Sequence, residues 1–351
     1  MNTGQETLFL RHLALTLGDK DIAKKNLDLF TAYQKPSGHI ALRIEDRFHG
    51  LGFLGLNIKH RKLLAKFKPS QPWADKVIDS NPLYLIAVAE YVNTTKDVTW
   101  IERNREKIVN AVYWLTLQID KNGLVKEGLN ANWADFTFKR GNVLYTNILA
   151  WKAFNLLCNI LPTKEANYCL SRSDQIELAI KKNFWNDEKG FFIDNIGKHG
   201  KKHNVFASDG NLLAIFFDFT TSDEAQRIFN YIDKNKLDRI PVPIYFPRLT
   251  GRHNILNRLI FPNYNSTYTF IWWGSISAVS RMKIFDNDGA LNDLYAIAKI
   301  INRYKTVPEI VNPKGRMVDK LFYKSERSAA WSAGMFVYAC NIARDRKLIL
   351  F

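Results

Sequence analysis

Gln118-Ile119-Asp120-Lys121-Asn122-Gly123-Leu124-Val125 reads as a helix end, a turn and a short extended piece, and the chain has used this pattern before. Gln34-Lys35-Pro36-Ser37-Gly38-His39-Ile40 carries the same Gln, a turn ending in Gly and the same apolar continuation. Comparable turns recur at about 70–85 residues, room for two helices and their loops, which points to an internal repeat.

The segments between the turns alternate in kind. Leu83 to Val92 is nearly all apolar, and a helix apolar on every side is buried all round. The next helix opens at Thr99-Trp100-Ile101-Glu102, a capping-box pattern, and keeps Ile101, Ile108, Val112 and Leu115 on one face. Val143 to Ile160 is again apolar, and Ala166 to Phe184 is polar. Ser208-Asp209-Gly210-Asn211 opens an apolar helix, and Thr221-Ser222-Asp223-Glu224 is a capping box for its polar partner. Tyr268 to Ser280 and Asp288 to Tyr304 form a further pair, and a last helix runs from Ser328 to about Arg344. Towards the N-terminus, Glu6 to Leu17 and Asp21 to Tyr33 read as helices, with Asp19 or Asp21 as the cap of the second. His39 to Ile44 reads as a short strand, and Glu45 to Ile78 as a long loop with at most a short helix.

Five to six helical hairpins without a central sheet predict an all-α fold, an (α/α)6 barrel spanning 1–351 as one catalytic domain. Apolar helices form the inner ring, amphipathic ones the outer, and short β pieces sit in the long loops at one end. The alternative is an open helical solenoid, against which the irregular loops argue.

Composition narrows the function. The hydrophobic fraction of 46% allows a sizeable core, and no run of about 18 apolar residues predicts a membrane span. Cys158, Cys169 and Cys340 have no metal-type spacing, and three cysteines in a chain without a signal pattern predict a reducing, cytoplasmic setting. No cofactor or metal is expected, since the His residues form no ligand constellation and no Gly-rich phosphate loop is present. The net charge of +16 is spread, with short clusters at Lys59-His60-Arg61-Lys62 and Gly200-Lys201-Lys202-His203. Neither matches a nucleic-acid module, so the charge reads as a solvated surface and no nucleic-acid or membrane partner is expected.

The loops before the apolar helices carry the chemistry. Glu127-Gly128-Leu129-Asn130-Ala131-Asn132-Trp133-Ala134-Asp135-Phe136-Thr137-Phe138-Lys139-Arg140-Gly141 places an aromatic, a carboxylate and a guanidinium within eight positions. Desolvation beside Trp133 and Phe136 favours the neutral form of Asp135. The plainer reading is a capping Asp with Trp133 filling the core. Asp79 with Asn81, Asp209, and Glu309 recur at comparable places, as do the ring pair Trp272 and Trp273. Acids that bind hydroxyls, aromatic faces for sugar rings and two carboxyls for acid–base work together suit a carbohydrate substrate. Helix capping alone also explains Asp79 and Asp209.

Five ordered motifs carry a resemblance. They are Asp79-Ser80-Asn81-Pro82-Leu83, Trp133-Ala134-Asp135 with Arg140-Gly141, Ser208-Asp209-Gly210-Asn211-Leu212, Pro308-Glu309 with Asn312-Pro313-Lys314-Gly315, and Ala330-Trp331-Ser332-Ala333-Gly334. Through them the chain resembles the six-hairpin glycosidase superfamily, most similar to its amylo-α-1,6-glucosidase (glycogen-debranching) and glucosidase-family-63-like branch. The resemblance implies an inverting hydrolase of an α-glucoside or related oligosaccharide, with Asp135 as general acid and Glu309 as general base. Glu326 competes with Glu309 for the second role. Asp79, Asn81, Trp133, Arg140, Asp209, Trp272, Trp273, Glu326 and Trp331 are then substrate-binding candidates. A non-catalytic glycan-binding barrel and a phosphorylase on the same fold are the alternatives. Enzymes of the family commonly carry an N-terminal β-sandwich, whereas this chain opens in a helical segment, as a trimmed form or one subunit of a larger system would. Tyr268-Thr269-Phe270-Ile271-Trp272-Trp273-Gly274 departs from the family's usual His-Asn-Gly.

Overall fold

The computed structural model describes residues 2–3, 19–47, 59–69, 73–134, 137–238, 242–248, 266–320 and 323–349. Ten helices occur among them. They are α1 (Lys20–Ala32), α2 (Ser80–Thr95), α3 (Val98–Thr116), α4 (Leu144–Leu157), α5 (Thr163–Phe184), α6 (Ser208–Phe216), α7 (Ser222–Lys234), α8 (Ile271–Lys283), α9 (Asn287–Tyr304) and α10 (Ala330–Asp345). The helix expected over Glu6 to Leu17 lies outside the described residues.

The fold is an (α/α)6 barrel. α2, α4, α6, α8 and α10 pack one on the next as the inner ring, and α1, α3, α5 and α9 lie against it from outside. The sequence dictates which helix goes where. Leu83 to Ala89 of α2 are all buried, and so is every residue of α8 before Lys283. In α7 only Ala225, Ile228, Phe229 and Ile232 are buried, the single stripe of an outer helix. Thr221 and Glu224 form the expected capping box of α7. At α3 the cap lies earlier than predicted. Asp97, not Thr99, accepts from the Trp100 N–H, and its carboxylate also accepts from Lys24 and Tyr91, which fixes it at the helix start.

The repeated turn has a structural cause. Gly38, Gly123 and Gly190 all have positive φ, and a Cβ on Gly38 would lie 2.0 Å from the Asn110 carbonyl oxygen. Two residues after each Gly, the backbone N–H of Ile40, Val125 or Phe192 donates to an asparagine of the next inner helix, Asn81, Asn147 or Asn211. The amide of Asn147 in α4 donates back to the carbonyls of Val125 and Val143, and that of Asn211 in α6 to those of Phe192 and Ala207. Each asparagine thus ties an incoming extended piece to an inner helix whose first turn has unpaired backbone groups.

Two regions hold more β structure than predicted. Arg43–Arg47 starts in the predicted strand, runs on into the stretch read as loop, and pairs antiparallel with Lys59–Lys66 of that stretch. That stretch has little alternation and several glycines, so the pairing comes from the partner strand and not from a local pattern. Phe191–Ile196 and Lys202–Ala207 form a hairpin, extended by Asn142–Val143 on one side and Tyr245–Phe246 on the other. Thr269–Phe270 pairs with Ile310–Val311, which brings Glu309 to the start of α8. No described helix is long and apolar enough to cross a membrane.

Candidate active site

Counting back two residues from each stapling asparagine gives Asp79, Tyr145 and Asp209, one from each of three consecutive inner helices. All three are buried where these helices begin. Asp79 occupies the cap position of α2 but makes no capping bond. Its Oδ2 instead accepts the backbone N–H of Trp133 at 3.0 Å. Asp209 Oδ2 accepts the indole N–H of Trp133 at 2.9 Å, and Oδ1 accepts the Gly210 N–H at 2.7 Å. Capping therefore explains neither acid, and one tryptophan holds both.

The Trp133 ring stands edge-on to Phe270 and Trp272, with centroids 5.3 and 5.5 Å away. Trp272 and Trp273 lie 4.0 Å apart. Trp273 is fully buried, so its faces meet protein, whereas Trp331 keeps part of its surface open. Asn81 is committed to the backbone of Gly38, Ile40 and Ala111, which leaves it a structural part.

Two contributors were missed by sequence reasoning. Lys139, not Arg140, enters the interior. Lys139 is buried and lies 3.2 Å from Asp194 and 3.7 Å from Asp209. Burial alone lowers its pKa, but Asp194, Tyr245 and Asp209 outweigh that and keep it charged. Arg140 is exposed, and its described hydrogen bond is through its carbonyl, which accepts from Asn195. The local pattern gave no signal for this, since alternation would place Arg140 on the face of the apolar Phe138 and turn Lys139 away from it.

Glu127 is the second. Its Oε1 accepts from Asn132 at 2.5 Å and its Oε2 from Thr146 at 2.6 Å. Burial dominates both bonds and the pull of Lys139, and raises its pKa to about 8. Burial likewise raises Asp209, with Lys139 and the Trp133 N–H pulling the other way. The Tyr145 phenol is pushed well above its ordinary value by burial, then by Asp79, Asp209 and Glu127. The site is thus a desolvated carboxylate cluster with one buried lysine among the described residues. It can hold protons on carboxyl groups near neutral pH and present hydrogen-bond acceptors to hydroxyls.

Asp135, two residues beyond Trp133, lies outside the described residues. Glu309 is half-buried; its N–H donates to the Glu326 carbonyl at 2.9 Å and its own carbonyl accepts the Ile271 N–H. Glu326 is exposed. No group of three or more His, Cys, Asp or Glu side chains with metal-holding geometry occurs among the described residues.

The sequence matches a family model for alkaline and neutral invertases over residues 161–260, a stretch holding α5, the long hairpin and Asp209. No curated protein matches it significantly. Among solved structures it is similar to a rhamnosidase from Klebsiella oxytoca with rhamnose bound, at 13% identity and a TM-score of 0.69, covering 96% of this chain and 57% of that one. It is similar as well to a GH63 mannosylglycerate hydrolase from Thermus thermophilus in complex with glucose, at 12% identity and a TM-score of 0.68, covering 96% and 92%. A wild-type glycosidase shares 14% identity at a TM-score of 0.68, covering 99% and 88%. The chain therefore shares the six-hairpin (α/α)6 fold of these structures.

Proposed function

We propose that the protein is a glycoside hydrolase that cleaves an α-glucoside or related oligosaccharide with inversion, using Asp135 as general acid and Glu309 as general base. The observation that carries this reading is the convergence of Asp79 and Asp209 on Trp133, two residues before Asp135, where the inner helices begin. The likeness to sugar-bound glycosidases supports it. In this mechanism Asp135 protonates the leaving glycosidic oxygen while Glu309 activates water on the opposite ring face. Inversion requires the two carboxyls roughly 6.5–9.5 Å apart, room for that water. Asp79 and Asp209 accept sugar hydroxyls, and Trp331, which keeps part of its surface open, offers a ring face. Arg140, exposed beside Lys139, is left for parts of the substrate outside the ring.

The test is hydrolysis of a panel of glucosides and oligosaccharides by the parent, Asp135→Asn, Glu309→Gln and Glu326→Gln. Loss of a general acid or base lowers the rate by about a hundred- to ten-thousand-fold. Both Asp135→Asn and Glu309→Gln are expected to fall in that range with sugar binding retained, and Glu326→Gln is not. Proton NMR of the first-formed product reads the anomer. A parent inactive on every glycoside, or a product of retained configuration, overturns the proposal.

A further inference from the structure

A groove of about 670 Å³ opens on the outer side of the loop that carries Trp133. Lys121, Lys126, Arg140, Lys198 and His199 line it, drawn from the Asp120 turn, the loop itself and the tip of the long hairpin. Two acids also line it, Asp120 half-buried with its oxygens taken up by hydrogen bonds and Glu127 buried. Asp120 accepts the backbone N–H groups of Asn122 and Leu124 and the amide of Asn142, at 2.8, 3.3 and 3.1 Å. The Glu127 carboxylate is buried against Asn132 and Thr146. Among the described residues, Lys121, Lys126, Arg140 and Lys198 pair with no carboxylate, and all four are exposed. The groove therefore shows solvent a concentrated positive field, which raises the local concentration of an anion. At Gly200 an added Cβ would meet nothing within 4 Å, so the rim is open there.

We propose that this groove binds the anionic part of a glycan, a chain bearing carboxylate or sulfate groups. The proposal rests on the carbohydrate reading of the neighbouring site. The loop that holds Trp133 towards Asp79 and Asp209 holds Lys126 and Arg140 towards the groove, so one wall serves both. Volume and spread of charge suit several sugar units better than a single ion, and Asn122 adds an amide for hydroxyls. Nucleic acid fits less well. Among the described residues no Phe, Tyr or Trp lines the groove, so single-stranded bases find no stacking platform there.

The test is titration calorimetry of the full chain and of the triple variant Lys121→Glu/Lys126→Glu/Lys198→Glu. Probes are oligogalacturonate, dextran sulfate, a neutral maltooligosaccharide and a single-stranded oligonucleotide. Matched melting curves confirm that the variant is folded. An anionic glycan is expected to bind the parent and to lose about tenfold or more in the variant, since several screened surface attractions act on one ligand. Its binding is also expected to weaken as salt rises. Oligogalacturonate against dextran sulfate identifies the carboxylate or sulfate source. Equal binding by parent and variant, absence of binding by both anionic glycans, or tighter binding of the oligonucleotide overturns the proposal. Hydrolysis is read separately. Charge-dependent glycan binding by a chain that cleaves no glycoside would remove the proposed function and leave the groove.

Discussion

The indole N–H of Trp133 donates to Asp209 Oδ2 at 2.9 Å, joining residues separated by 76 positions in the sequence. With the backbone N–H of the same residue on Asp79, it sets the start of two inner helices and the entry of the loop bearing Asp135. Trp133→Phe keeps most of the ring packing and removes that donor. Leaving a buried acceptor without its donor costs about 1–3 kcal/mol. We expect a loss of that size in denaturant unfolding, and a change in near-ultraviolet circular dichroism from the aromatic cluster. An unchanged midpoint would show that the bond carries no weight.

Lys139 and Arg140 are neighbours with opposite fates. Lys139→Met leaves Asp194 and Asp209 buried without their cation, and breaking such a pair costs about 3–5 kcal/mol. Arg140→Ala removes an exposed side chain and is expected to stay within about 0.5 kcal/mol. Equal costs for the two variants in urea unfolding would contradict the inward placement of Lys139.

Stability should fall as pH rises because of Glu127. Its carboxyl stays protonated in the folded chain up to about pH 8, while the unfolded chain releases that proton near the ordinary value of 4.5. Between these values the unfolded state binds fewer protons, so this contribution is fully present below the lower pKa and is lost through the upper one. Asp293, raised to about 7 by burial, acts in the same direction. Melting curves at pH 5 and 8 of the parent and Glu127→Gln separate the two. The variant should show the shallower decline, and a parallel decline would assign the effect elsewhere.

The asparagine staples make a fourth prediction. Asn211→Ala leaves the N–H and carbonyl of Phe192 without their side-chain partners in a buried setting. At about 1–3 kcal/mol per buried group left unsatisfied, the loss should exceed that of an ordinary surface change. Hydrogen exchange at the Phe192 amide reads it directly: exchange should accelerate there, and unchanged protection would refute the staple.

What the sequence determined by itself was periodic. Apolarity on every side of Leu83 to Val92 and Tyr268 to Ser280, against single stripes in the intervening helices, assigned inner and outer positions because burial acts on side chains one by one. Gly38 and Gly123 marked the repeat because only a residue without Cβ fits the close, left-handed turn. The acids of the site were visible as residue types. Their partners were not. The sequence pointed to Arg140 while the structure buries Lys139 against Asp194 and Asp209, and Glu127 stood in the loop with no sign of the Thr146 and Asn132 that enclose it. Nor does local sequence reveal that Asp79 and Asp209, each a plausible cap, both bind Trp133. Those bonds join residues from different hairpins, and only the packing of consecutive inner helices side by side brings them within about 3 Å and away from water. Desolvation is a property of the assembled barrel, so the charge states on which the chemistry depends were decided there and not along the chain.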